Sequence, residues 1–170
     1  MFAVNHILEA AKCMDLAAPQ MWTCSSLEHC ALETRLGENA NHLIAPGGNY
    51  DWAVLHSALA SEYLQAHAMP PEQLEEAFAQ QHTPWQDGCT VGYILRTPAG
   101  GGHWVALLPP NVVARQSSDC CAAVLCDSMH ATPFLLDTAE VEDLLLGVAI
   151  AQQSANVALL PWAAFQIRRD

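Results

Sequence analysis

The chain is built around two apolar segments, Gly100-Gly101-Gly102-His103-Trp104-Val105-Ala106-Leu107-Leu108 and Ala122-Ala123-Val124-Leu125-Cys126-Asp127-Ser128-Met129. Each segment predicts a β-strand, and the loop at Pro109–Asp119 allows the two strands to pair antiparallel. His103 opens the first strand and Asp127 follows the second. Because antiparallel neighbours run in opposite directions, the start of one strand and the end of the next lie at the same edge of the sheet. We therefore expect an imidazole and a carboxylate side by side.

This juxtaposition has two interpretations. In cysteine hydrolases of the papain type, an imidazole takes the proton of a thiol, and a carboxylate or amide holds the ring in the right tautomer. The other interpretation is structural: a histidine at a strand start commonly faces solvent or forms a hydrogen bond, and an aspartate after a strand commonly forms a turn. The pattern alone leaves both open, and in the first interpretation the catalytic residues are His103 and Asp127.

The composition indicates one compact domain over residues 1–170. A chain of 170 residues with 52% hydrophobic side chains can bury a substantial core. Its formal net charge is −12, from 18 Asp and Glu residues against 6 Lys and Arg residues. So few cations cannot neutralise a run of phosphates, which argues against nucleic acid or an anionic membrane as the partner. A partner with a basic surface is favoured instead.

Nothing in the sequence predicts export, a membrane span or a cofactor. The start, Met1-Phe2-Ala3-Val4-Asn5-His6, lacks the basic leader of a secretory signal, and no stretch reaches the roughly 20 apolar residues that span a bilayer. We therefore expect an intracellular protein, cytoplasmic or nuclear. The seven cysteines are an odd number without a repeated Cys-x-x-Cys spacing, so neither a disulfide framework nor a zinc site is expected.

The order of the predicted elements gives the fold class α+β. Apolar spacing and capping signals predict early helices at residues 3–12, 25–37, 51–60 and 70–80. Strands follow as a meander at residues 91–95, 103–108 and 122–126. A late helix is capped at Asp137 and Glu140 and runs to about residue 149, and a strand at 157–160 closes the sheet.

Three segments of the chain resemble the Josephin domains, a family of papain-like deubiquitinating cysteine proteases. Gly48-Asn49-Tyr50-Asp51, which precedes an apolar helix, is similar to the family's GNYD element. His103-Trp104 resembles the start of its catalytic histidine strand, and Leu125-Cys126-Asp127-Ser128-Met129 resembles the segment that supplies the Asn or Asp of its triad. The resemblance implies a papain-like fold in which Met14–Pro46 forms a helical hairpin beside the cleft. A loop insertion at Pro109–Asp119 would explain why the histidine and the aspartate are further apart than expected for the family.

The resemblance also implies a nucleophile that these residues do not supply. The family pattern is Cys-Ala-x-His-x-Leu-Asn-Asn-x-Leu, preceded by a Gln of the oxyanion hole, and Ala3-Val4-Asn5-His6-Ile7-Leu8 resembles its latter half. The nucleophilic Cys is thus expected just upstream of Met1, and Phe2 stands where the pattern has His. Cys13 lies at the wrong end of its helix, and Cys126 should point to the opposite face of the sheet from Asp127.

The resemblance implies the family's activity, so we expect a thiol-dependent ubiquitinyl hydrolase that cleaves after the C-terminal Gly of ubiquitin. His103 is the base and Asp127 orients it, with ubiquitin or ubiquitinated proteins as partners and no cofactor. Two alternatives stay open. The first alternative is a pseudoenzyme that binds ubiquitin without turnover. The second is a papain-like peptidase or amidase with another substrate.

Overall fold

The computed structural model describes residues 2–13, 44–45, 49–50, 52–70, 73–74, 76–77, 85, 87–97, 103–110, 121–127, 129–130, 132–154 and 164–169. These residues form helices and an antiparallel sheet, which confirms the α+β class. The helices are α1 (Phe2–Cys13), α2 (Trp52–Ser61) and α3 (Thr138–Ser154). The strands are β1 (Ile44–Ala45), β2 (Asn49–Tyr50), β3 (Leu64–Ala68), β4 (Thr90–Thr97), β5 (His103–Leu108), β6 (Ala123–Cys126), β7 (Phe134–Leu136) and β8 (Ala164–Arg169).

Among the described residues, the main sheet has six strands in the order β3-β8-β4-β5-β6-β7, and every neighbouring pair is antiparallel. Strands β4 to β7 follow one another in space as they do in sequence, so the predicted meander is confirmed and extended by β7. Strand β8 lies between β3 and β4, although it is last in sequence. Strands β1 and β2 form a separate pair directly before α2.

Helices α1 and α2 cover one face of the sheet. The buried residues of α1 recur at helical spacing and include Ile7 and Leu8, which join a core with Ala106, Leu108 and Val124 of the sheet. This layer approaches the sheet very closely. A Cβ atom on Gly92 would lie 2.6 Å from Cδ1 of Ile7, so only glycine leaves room for the helix there.

The end of α2 is unusual because a bulky residue adopts a left-handed conformation. Val54, Leu55, Ala58 and Leu59 form the buried stripe of α2, as its sequence predicts. The helix ends at Ser61. Two residues further on, Tyr63 has a φ of 59°, and its N–H donates to Ala60 O at 3.1 Å. Glycine usually occupies such a position, and a left-handed tyrosine carries a conformational cost.

Helix α3 covers the other face of the sheet and begins with a reciprocal cap. The N–H of Glu140 donates to Oδ1 of Asp137, and the N–H of Asp137 donates to Oε2 of Glu140, each at 2.9 Å. This capping box is the one that the sequence predicts. The buried side of α3 packs against Tyr93, Val105 and Leu107 of the sheet. The helix ends at Ser154, beyond the predicted end near residue 149.

Several predicted elements lie outside the described residues or differ from what is observed. The described residues do not include the predicted helix at 25–37, the predicted strand at 157–160, or residues 14–43 and 46 of the predicted helical hairpin Met14–Pro46. Residues 44–45 of that hairpin form strand β1, not a helix, because they pair with β2. Of the predicted helix at 70–80, residues 73–74 and 76–77 are helical. The described strand that completes the sheet is β8, and neither β3 nor β7 was expected from the sequence. Within the described residues, no helix is long and apolar enough to cross a membrane.

Candidate active site

The sheet brings the two predicted site residues to one edge. Strand β5 starts at His103, which pairs with Thr97 at the end of β4. The β5–β6 register pairs Ala106 with Cys126, so the chain continues from Cys126 into Asp127 alongside the first residues of β5. Side chains alternate along each strand, and this alternation puts His103 and Asp127 on the same face in a diagonal arrangement.

The imidazole of His103 and the carboxylate of Asp127 form a short hydrogen bond. The distance from Nε2 of His103 to Oδ1 of Asp127 is 2.7 Å, and the two side chains are 16% and 18% exposed. A carboxylate only accepts hydrogen bonds, so Nε2 must carry the proton that is shared. In the neutral ring Nδ1 then has the lone pair and is the nitrogen that can take up a proton.

The turn after β6 fixes the orientation of the Asp127 carboxylate. The N–H of Met129 donates to Oδ1 of Asp127 at 2.8 Å, and the N–H of His130 donates to the Asp127 carbonyl oxygen at 3.0 Å. Nε2 of His130 faces Oδ2 of Asp127 at 3.9 Å. The turn thus holds the Asp127 carboxylate in addition to its contact with His103.

These contacts favour the ionised form of Asp127. Burial by itself would raise the pKa of this carboxyl group. The hydrogen bonds from Met129 and His103, together with the positive charge that the neighbouring imidazoles can carry, outweigh burial and hold the pKa of Asp127 below its ordinary value. The carboxylate is therefore charged at neutral pH and can stabilise a protonated His103.

An aromatic cluster anchors the start of β5 beside the site. Trp104 lies 5.5 Å from Trp52 and 6.1 Å from Phe165, measured between ring centroids, and Trp52 stacks on Phe165 at 3.5 Å. The guanidinium of Arg96 lies 5.9 Å from the Trp104 ring. The residue next to His103 is thereby held by α2, β4 and β8, which limits the movement of the imidazole's backbone.

The GNYD-like segment joins this cluster to the rest of the fold. Asn49–Tyr50 forms β2, which pairs with Ile44–Ala45, and α2 begins at Trp52. The segment therefore delivers Trp52 to the aromatic cluster. Residues Gly48 and Asp51 lie outside the described part of the chain.

The structure argues against Cys126 as a nucleophile. Its side chain is buried in the core on the α1 side, as the alternation of β6 predicts. Burial raises the pKa of the Cys126 thiol to about 11, so the reactive thiolate is scarce at neutral pH. Cys13 is the last residue of α1, at the helix end where the dipole disfavours a thiolate.

The described residues do not bring together three His, Cys, Asp or Glu side chains that could hold a metal ion. His103 and Asp127 are brought together as the sequence predicts, and their catalytic role stays a prediction. Sequence reasoning missed His130 and the Met129 N–H. An aspartate that bonds the backbone two residues ahead is a common turn, so Asp127-Ser128-Met129 carried a signal for the second of these.

No protein-family model matches the chain, and no curated protein sequence matches it.

Proposed function

We propose that the protein is a papain-like cysteine hydrolase of the Josephin type that cleaves after the C-terminal glycine of ubiquitin. The observation that carries the proposal is the 2.7 Å hydrogen bond between His103 Nε2 and Asp127 Oδ1, where β5 begins and β6 ends. A base held by an ionised carboxylate is what thiol activation requires. The pair also stands in the order in which the family has its histidine strand and its Asn or Asp segment, with a longer loop between the two.

The chemistry follows from the protonation of the imidazole. With Nε2–H donated to Asp127, Nδ1 of His103 takes the thiol proton, and the ionised Asp127 stabilises the imidazolium that forms. The thiolate attacks the carbonyl carbon of the scissile bond. His103 then gives its proton to the leaving amine, and water releases the acyl group from sulfur in the second half of the reaction.

The nucleophile belongs, in this proposal, to the segment that leads into α1. Helix α1 packs against Ala106 and Leu108 of β5, on the face of the sheet opposite to the side chains of His103 and Asp127. The cysteine therefore has to reach the imidazole from beyond the end of the strand at His103. A cysteine at the N-terminal end of this helix would have its thiolate stabilised by the helix dipole. The family pattern places its cysteine at this end of the helix, ahead of the residues that Ala3–Leu8 resemble.

The charge of the chain supports a protein substrate with a basic recognition surface. Acidic residues outnumber Lys and Arg by 18 to 6. Complementary charge raises the rate of encounter with a basic partner, and the recognition surface of ubiquitin carries basic residues.

The test uses ubiquitin with a thiol-reactive electrophile at its C terminus, followed by intact-mass spectrometry. Two chains are compared: residues 1–170, and the same residues extended at the N terminus so that the family's Gln and Cys stand at their pattern positions. Each is also made with His103→Ala. A Cys126→Ser variant of both chains serves as the matched control for a buried thiol.

We expect one adduct in the extended chain, at the added Cys, and its loss in His103→Ala. Residues 1–170 should give no adduct that depends on His103. A folded extended chain that gives no adduct, or whose adduct persists in His103→Ala, overturns the proposal. If ubiquitin still binds without an adduct, the ubiquitin-binding pseudoenzyme replaces it. Hydrolysis of unrelated peptide amides but not of ubiquitin would instead identify a papain-like peptidase or amidase.

A further inference from the structure

The two oxygens of the Asp127 carboxylate face different histidines. Oδ1 accepts the hydrogen bond from Nε2 of His103 at 2.7 Å, and Oδ2 faces Nε2 of His130 at 3.9 Å. The second distance is too long for a direct hydrogen bond, but the charges of the two groups still interact at this range. Asp127 therefore lies between two imidazoles, of which the proposed mechanism uses one.

Local structure holds His130 in this place. Its N–H donates to the Asp127 carbonyl oxygen at 3.0 Å, which closes the turn after β6. Its ring packs edge-on against Phe134 of β7, with the centroids 4.8 Å apart and the planes at 80°. The side chain is 54% exposed, so it exchanges protons readily with solvent. An ionisable ring is thus fixed beside the outer oxygen of Asp127.

We propose that His130 is a positioning residue that sets how strongly Asp127 holds His103. This inference rests on the proposed function, because it presupposes that His103 is the base. When His130 is neutral, the negative charge of Asp127 acts on His103 alone. When His130 is protonated, it shares that charge and adds a second positive charge near His103, so the imidazolium form of His103 is less stable.

The groups that face His130 determine whether its positive charge favours or opposes protonation of His103. Asp127 lies in its own turn, His103 on β5 lies across that carboxylate, and β7 presents the uncharged ring of Phe134. The two histidines carry like charges and share one anion. Protonation of either therefore opposes protonation of the other, which makes the two protonation steps anti-cooperative.

The test is a pH titration of the histidine ring signals by NMR on residues 1–170, which needs no nucleophile. His130→Gln removes the second charge, and His130→Lys makes it permanent. His67→Gln is the matched control, because His67 is also exposed but lies on β3, at the edge of the sheet opposite β7. Backbone amide spectra confirm that each variant is folded.

In His130→Gln we expect the midpoint of His103 to rise by about 0.3 pH unit, the size expected for two charges that interact across a partly hydrated carboxylate. His130→Lys should lower the midpoint relative to His130→Gln, and His67→Gln should leave it unchanged. A His103 curve that is the same in wild type, His130→Gln and His130→Lys overturns the inference.

The extended chain then shows what the coupling does to the reaction. The rate of adduct formation is measured as a function of pH. In His130→Gln, the acid side of this pH–rate profile, its acid limb, should shift by the same amount as the NMR midpoint of His103. A shifted midpoint in an extended chain that forms no adduct overturns the proposed function and leaves the coupling of the two histidines intact. A shifted midpoint with an unmoved acid limb overturns the positioning role.

Discussion

Asp87 and Asp127 lie at opposite ends of the sheet and hold their surroundings in similar ways. Asp87 precedes β4, where Oδ1 accepts the N–H groups of Cys89 and Thr90 at 2.9 and 2.8 Å and Oδ2 accepts the Thr90 hydroxyl at 2.9 Å. Asp127 follows β6 and accepts the Met129 N–H at 2.8 Å. Both carboxyl groups have a pKa below the ordinary value, because these hydrogen bonds and nearby positive charge outweigh the effect of burial.

The difference lies in the remaining partner of each carboxylate. Asp87 meets Arg168, a cation that keeps its proton at any physiological pH, whereas Asp127 meets the imidazole of His103, which gains and loses one. A lowered carboxyl pKa is therefore no sign of function by itself. The identity of the partner that faces the carboxylate separates a structural aspartate from one that can take part in chemistry.

The largest effect expected from this comparison is on reaction rate. In the extended chain described above, Asp127→Ala should slow adduct formation by about 100-fold, because the imidazolium loses its counter-charge and its orientation. Asp87→Ala should leave the rate unchanged at a temperature where the variant is folded. The two rates are measured by quenching the reaction at several times and determining the adduct fraction by intact-mass spectrometry. An equal loss of rate in the two variants would contradict the separation of roles.

Stability should show the reverse order. We expect Asp87→Ala to lower the free energy of unfolding by about 2 kcal/mol, since it leaves two backbone N–H groups and a buried hydroxyl without their charged acceptor. Asp127→Ala removes one backbone contact and should cost about 1 kcal/mol. Urea unfolding followed by circular dichroism gives both values. A larger loss for Asp127→Ala would show that the turn after β6 is the more important structural element.

Acid should weaken both ends of the sheet. The folded-state pKa of each carboxyl lies below the ordinary value of 3.8, so its contribution to stability is fully present above that value and is lost as the pH falls through the folded-state pKa. Asp87→Asn and Asp127→Asn should each flatten the fall of the unfolding free energy below about pH 4. Urea titrations at several acid pH values measure the slope, and a slope equal to that of the wild type would contradict the prediction for that residue.

The smallest effect should come from the ion pair at Asp87. Arg168 Nη2 lies 3.3 Å from Asp87 Oδ2, but the two side chains are 40% and 38% exposed, so solvent screens the pair. Arg168→Met should therefore change the unfolding free energy by less than about 0.5 kcal/mol. Thr90→Val is the sharper comparison, because Thr90 is buried and also accepts from Gln166 at 2.9 Å. It should cost more than Arg168→Met in the same urea experiment.

The sequence predicted the contact between His103 and Asp127 better than it predicted the sheet. Strands β5 and β6 are continuous apolar runs, and the strand ends fix His103 and Asp127, so a local pattern was enough to bring them together. His130 was missed because its relation to Asp127 depends on the shape of a turn and on the ring of Phe134, which no period in the sequence encodes.

The missed strands have physical reasons of their own. Strand β3 reads Leu-Gln-Ala-His-Ala, whose residues suit a helix as well as a strand, and the break before it is made by a left-handed Tyr63 where a glycine would have signalled it. Strand β8 carries Gln166 and Arg168, polar residues that gain partners only when β4 is alongside. Tertiary pairing, and not local preference, decides both.

The position of β8 sets an order in which the chain can assemble. From β4 to β7 the strands pair in the order of the sequence, β4 with β5, β5 with β6 and β6 with β7, so the meander that carries His103 and Asp127 can form as it leaves the ribosome. Strand β3 is made earlier, but within the described part of the chain its partner in the main sheet is β8 alone, so it must wait until that later segment has been synthesised. During that interval the imidazole and the carboxylate can already be paired, while the edge of β4 that later binds β8 stays open to any chaperone or neighbouring chain that recognises an unpaired strand.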